Sequence, residues 1–168
     1  MWSTGGVLAK HVTANVRRRQ FISDEISLEA SAGVNLLTMI GKAPPNSRFA
    51  VESITRVNEV ALASGDAAAN TTVGALKIGH ATAAGTFDDD SILAATAMSN
   101  SAAKVATTWT HSNFASTLKT GSNAPQNAGL PIVPAGASIW ATSTEYTTNG
   151  DGTFRLCITG WELDDEQK

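Results

Sequence analysis

The densest group of titratable side chains in this 168-residue sequence is Asp88-Asp89-Asp90. Three neighbouring carboxylates are raw material for a hard-cation site. A calcium loop of the EF-hand kind, however, spaces its oxygen ligands at alternating positions around a turn-forming glycine. The run has neither feature, so a solvated loop opening on a helix capped by Asp90 is the expectation. The three histidines, His11, His80 and His111, stand apart from one another, without the spacing of a helical zinc motif. A single cysteine, Cys157, excludes an intrachain disulfide and any Cys-based zinc centre, and it reads as a buried thiol in a reducing compartment. There is no Gly-x-Ser-x-Gly elbow and no phosphate loop, and Lys119 has neither an acid nor a nucleophile beside it. The sequence therefore reads as non-enzymatic, with no catalytic residue, no metal ligand and no cofactor.

What remains is suited to contact rather than to chemistry. Arg17-Arg18-Arg19 can meet phosphates, but the net charge of −3 and the absence of interleaved aromatic residues argue against a nucleic-acid partner. An acidic protein surface fits better, including the Asp164-Asp165-Glu166 tail of a neighbouring subunit. Of the four tryptophans, Trp140 and Trp161 fall in strand-like segments and are expected to pack inside. Trp2 stands ahead of Gly5-Gly6 and is expected to anchor in another chain's pocket, since aromatic residues carry much of the energy at interfaces. The candidate interface residues are thus Trp2, Arg17, Arg18, Arg19, Asp164 and Asp165.

Those side chains need a scaffold, and the composition constrains it. Apolar residues make up 42% of the chain and charged ones 16%, with 27 Ala and 20 Thr. A typical soluble domain carries about 25% charged residues. The chain is hydrophobic enough to fold, and its low charge suits surfaces that other subunits cover, because few ions need desolvating. The N-terminus lacks the basic start and apolar stretch of a secretory signal, and no apolar run approaches the roughly 20 residues of a membrane span. The expectation is a protein made in a cytoplasm, with no membrane partner.

The pattern along the chain is β. Residues 47–60 place Phe49, Val51 and Val57 on one parity and Arg48, Glu52, Arg56 and Asn58 largely on the other, with Ile54 out of phase, as at a bulge or a break between two strands. Residues 71–80 and 104–110 read as strands, and 90–98 as a short helix. Pro131 and Pro134 confine residues 130–134 to an edge or to a place outside the sheet, ahead of a Pro134-Ala135-Gly136 turn. Asn149-Gly150-Asp151-Gly152 reads as a tight hairpin into a final strand, 153–163, that alternates Phe154, Leu156 and Ile158 with Thr153, Arg155 and Thr159. The expected architecture is all-β, a jelly-roll-like β-sandwich over residues 21–168 with a short acidic tail, preceded by an extended N-terminal arm over 1–20.

Residues 129–136, with their Pro-Ala-Gly turn, and the Gly-led strand 152–163 resemble small structural proteins of tailed-bacteriophage virions, the β-sandwich decoration or cement proteins of phage heads. The resemblance extends to the strand from Phe49 to Val60. It implies a virion protein on the capsid surface, a homo-oligomer with a trimer favoured, that clamps the major capsid protein and reaches the shell with its arm. It transfers no catalytic residue. The competing expectation is a host-recognition module of a head or tail fibre, binding glycans through loops 81–90 and 121–129.

Overall fold

The computed structural model describes residues 17–28, 36–63, 72–110, 130–145 and 151–164. They form ten strands: β1 (Arg17–Ile22), β2 (Ile26–Ser27), β3 (Leu36–Lys42), β4 (Ser47–Asn58), β5 (Thr72–Ala81), β6 (Phe87–Ser99), β7 (Ala106–Thr110), β8 (Ile132–Val133), β9 (Ser138–Glu145) and β10 (Thr153–Asp164). Every pairing is antiparallel, and there is no helix among the described residues. One sheet runs β1-β10-β4-β7, with β2 beside β10 and β8 beside β4; the other runs β3-β9-β5-β6. The two sheets pack through one apolar cluster that includes Phe49, Ile54, Phe154, Leu156 and Ile158 from the first and Ile40, Leu76, Ile78, Leu93 and Ile139 from the second. The all-β sandwich expected from the sequence is present.

The period-two alternation of β10 holds along its length. Phe154, Leu156 and Ile158 are buried, whereas the intervening residues are half-buried on the outer face. β4 departs from simple alternation at one point. Val51 lies opposite Gly160 and Ser53 opposite Thr159, which leaves Glu52 as an extra residue. One inserted residue reverses which parity faces inward. Phe49 and Val51 are therefore buried before the bulge, and Ile54, Arg56 and Asn58 after it. The out-of-phase Ile54 marks this bulge, and the parity of the strand beyond it is the reverse of the expected one: Val57 is the half-exposed residue and Arg56 the interior one.

Four further expectations are revised. The helix over 90–98 is instead part of β6, because pairing with β5 overrides the helix preference of an alanine-rich segment. The register between these strands shifts three times, and β6 bulges over Gly79, where any Cβ would collide with the Asp88 carbonyl. The hairpin expected at 149–152 is absent as a pairing, since β9 and β10 belong to different sheets; residues 146–150 lie outside the described residues. Trp140 and Trp161 stand half-buried on outer faces, flanked by inward neighbours, and among the described tryptophans it is Trp109 of β7 that joins the core. Cys157 is likewise half-buried, on the outer face of β10, rather than interior.

The proline segment behaves as its chemistry requires. β8 has only two residues, pairing with Phe49 and Ala50, and the Pro131 carbonyl accepts from Val51 N–H at 2.9 Å. Gly136 takes φ +72 in the turn after β8.

Candidate functional site

The arginine run falls on an edge. β1 pairs with β10 so that Arg17 lies opposite Glu162, Arg18 opposite Trp161 and Arg19 opposite Gly160. The sheet thus starts four residues inside the segment expected to be an arm, and residues 1–16, with Trp2, lie outside the described residues. Because Ile158, Gly160 and Glu162 face inward on β10, register places Arg17, Arg19 and Phe21 on the inner side of β1 and Arg18, Gln20 and Ile22 on the outer side. The single run of three arginines is therefore two different groups.

On the inner side, Phe21 meets Phe49 edge-on, with ring centroids 5.0 Å apart and planes at 79°. Gly160 makes room for this pair: a Cβ there would sit 2.6 Å from the Phe49 ring and against the Ala50 carbonyl. Above it, Arg19 Nε donates to the carboxylate of Glu162, a buried side chain at the end of the sandwich. The Arg19 hydrogen bond holds the Glu162 carboxyl below the usual carboxylate range. Burial opposes this, and a hydrogen bond from Ser47 and the charges of Arg19 and Arg17 reinforce it.

On the outer side, Arg18 Nη2 lies 3.0 Å from Glu52 Oε2, the bulge residue of β4, and its guanidinium carbon is 5.8 Å from the centre of the Trp161 ring. Arg18 remains 62% exposed, so this pair is a surface feature. Asp164 ends β10 opposite Ser47, and Asp165 lies outside the described residues. Of the six candidate interface residues, the fold therefore gathers the three arginines and the backbone of Asp164 at one end of the first sheet.

The acidic run lies in β6. The three carboxylates of Asp88, Asp89 and Asp90 converge to within 4.8 Å and offer a cation one oxygen each. Lys77 Nζ already neutralises Asp89 at 2.8 Å. Next to them, Ser91 Oγ lies 2.7 Å from His80 Nδ1, accepts from the His80 N–H at 3.2 Å and is 3.3 Å from the Asp88 carbonyl. A Ser–His contact is the starting material of a nucleophile, but these bonds tie the hydroxyl into the bulge of β6. Burial pushes the His80 imidazole pKa down, and the charge of Asp88 opposes the shift.

Sequence patterns did not single out Glu162, Glu52 or Arg56. Arg56 is an interior arginine: it is buried, Nη2 donates to Thr107 at 3.3 Å, and the guanidinium lies 5.9 Å from the Trp109 ring centre. Its Nε has no hydrogen-bond partner among the described residues. The out-of-phase Ile54 is the one signal that foretells its inward direction.

No protein-family model matches the chain, and comparison with curated proteins finds no significant match.

Proposed function

We propose that this chain is a non-enzymatic structural protein of a tailed-phage virion, a decoration protein that binds the major capsid protein on the outer shell and reinforces it. The observation that carries the reading is the strand order. With β1 and β2 counted as one position and β7 and β8 as another, each sheet is four positions wide. The chain changes sheet between β2 and β3, β3 and β4, β4 and β5, β6 and β7, β8 and β9, and β9 and β10. This alternation supports a jelly roll, an architecture recurrent in viral capsid and lectin domains. Arg17 and Arg18 then stand at the rim directly after residues 1–16, where an arm that latches onto an acidic capsid surface would begin.

The test is decoration of empty shells by purified protein, imaged by electron microscopy with the protein present and absent. Full occupancy by the intact chain and its loss on deletion of residues 1–16 are expected; the deletion stops at 16 because Arg17 opens β1. Native occupancy by the truncated protein would remove the latch, and no binding to shells alongside specific binding on a glycan array would favour host recognition instead.

A further inference from the structure

The sandwich has four lateral edges, and three are guarded against pairing with another chain. β1 carries Arg17, Arg18 and Arg19. β6 carries Asp88, Asp89 and Asp90 and three register shifts. The edge beyond β4 is broken into β7, of five residues, and β8, of two, the latter set between Pro131 and Pro134. Charge, bulges, prolines and short strands are the usual means of blocking edge-to-edge association. β3 has little of this. It pairs only with β9 among the described strands, and Leu36 to Gly41 contain no charge and no proline. Leu37 and Met39 expose half of their surface on the outer face, with Trp140 directly across from Met39.

We propose that the edge of β3 turned away from β9, which no described strand pairs, joins the β3 edge of a second copy of this chain, antiparallel about a two-fold axis at Thr38. The sequence of the strand selects this occupant. Leu36-Leu37-Thr38-Met39-Ile40 is apolar in the same pattern read from either end, so the two-fold register sets Leu37 against Met39 of the partner subunit and Leu36 against Ile40 of the partner subunit. An isologous contact requires such self-complementarity. No like charges oppose each other, because Lys42 falls beyond the paired stretch; the irregularity between Met39 and Gly41 leaves Ile40 as the extra residue opposite β9, so the regular edge runs from Leu36 to Met39 and Ile40 forms the end of the paired stretch. A five-residue ladder, about 17 Å long, is short of the roughly 800 Å² per partner of a standard interface. The outer-face stripe of Leu37, Met39 and Trp140 from both copies supplies further apolar area. The result is one continuous eight-stranded sheet across the dimer. This contact does not depend on capsid binding.

The test is the mass of the full-length protein by sedimentation equilibrium up to millimolar concentration. Wild type should dimerise, and amide hydrogen exchange over β3 should slow as concentration rises. Leu37→Lys with Met39→Lys, and separately Leu37→Glu with Met39→Glu, should each give folded monomers, because positions 37 and 39 face each other with like charge. Mixing the two variants should restore the dimer. A wild type that is monomeric throughout, a lysine variant of unchanged mass, or β3 exchange independent of concentration overturns the proposal, and a mixture that stays monomeric overturns the register. Loss of shell decoration with the dimer intact would count against the capsid reading alone.

Discussion

Arg19 Nε donates to the buried carboxylate of Glu162, although the backbone register sets Arg19 opposite Gly160 and gives Glu162 to Arg17. The bond ties the first described strand to the last one. The folded pKa of Glu162 is depressed, relative to an ordinary value of about 4.3. A depressed carboxyl contributes stability that is fully present above its unfolded pKa and is lost as pH falls through the folded one. Glu162→Gln should therefore destabilise the protein by about 1–2 kcal/mol at neutral pH, and the gap to wild type should narrow below about pH 4. Urea unfolding at pH 7 and pH 3 measures both; an equal gap at the two values would show that the charge of Glu162 is not its source.

The division of the arginine run predicts a division of effects. Arg19→Ala should lower stability, because it leaves the Glu162 carboxylate without its main donor. The double variant Arg17→Ala with Arg18→Ala should change stability by no more than about 0.5 kcal/mol, since the ion pair of Arg18 with Glu52 and its contact with the Trp161 ring both lie on the exposed face. If the rim meets an acidic capsid surface, that same double variant should bind shells more weakly, most visibly at low salt. Thermal melts alongside shell co-sedimentation separate the two roles.

Gly160 is required by close approach rather than by backbone conformation. A Cβ there would strike the Ala50 carbonyl, which cannot swing aside as a flexible side chain can. Gly160→Ala should cost about 3 kcal/mol or more. Gly85 is the opposite case, with φ +89 and open space around it, so Gly85→Ala should cost only about 1 kcal/mol. Paired chemical denaturation of the two variants checks the contrast; similar losses would contradict it.

Much of the fold was legible because strands report themselves through alternation. Phe154, Leu156 and Ile158 alternate with polar residues in the sequence, and all three are inward in the fold. What escaped was long-range. Nothing local to residues 149–152 states that the strands on either side belong to different sheets. The helix expected at 90–98 failed because its strand state comes from β5, not from its own alanines. Arg56 and Glu162 escaped for a related reason: a single bulge at Glu52 turns Arg56 inward, and Glu162 is buried under partners more than a hundred residues away in Ser47 and Arg19. The arginine run was visible as a cluster, but its partition between two faces of β1 required the register with β10.

Arg56 gives the least intuitive prediction. Its guanidinium is buried, burial alone lowers its pKa, and no carboxylate among the described residues pairs with it. It has Thr107 as acceptor and the face of Trp109 as neighbour, and its Nε is unsatisfied. A buried ion without a paired counter-charge recovers little of its desolvation cost, and replacing buried charges by apolar groups of similar volume is often neutral or stabilising by about 1–4 kcal/mol. Arg56→Met keeps most of the side-chain stem against Trp109 and removes the charge, so it should leave stability unchanged or raise it by about 1–2 kcal/mol. Arg56→Ala discards the packing as well and should destabilise by about 2 kcal/mol or more. Urea denaturation of the two variants decides the point, since a loss in Arg56→Met as large as that in Arg56→Ala would mean that the charge, not the stem, stabilises the interior.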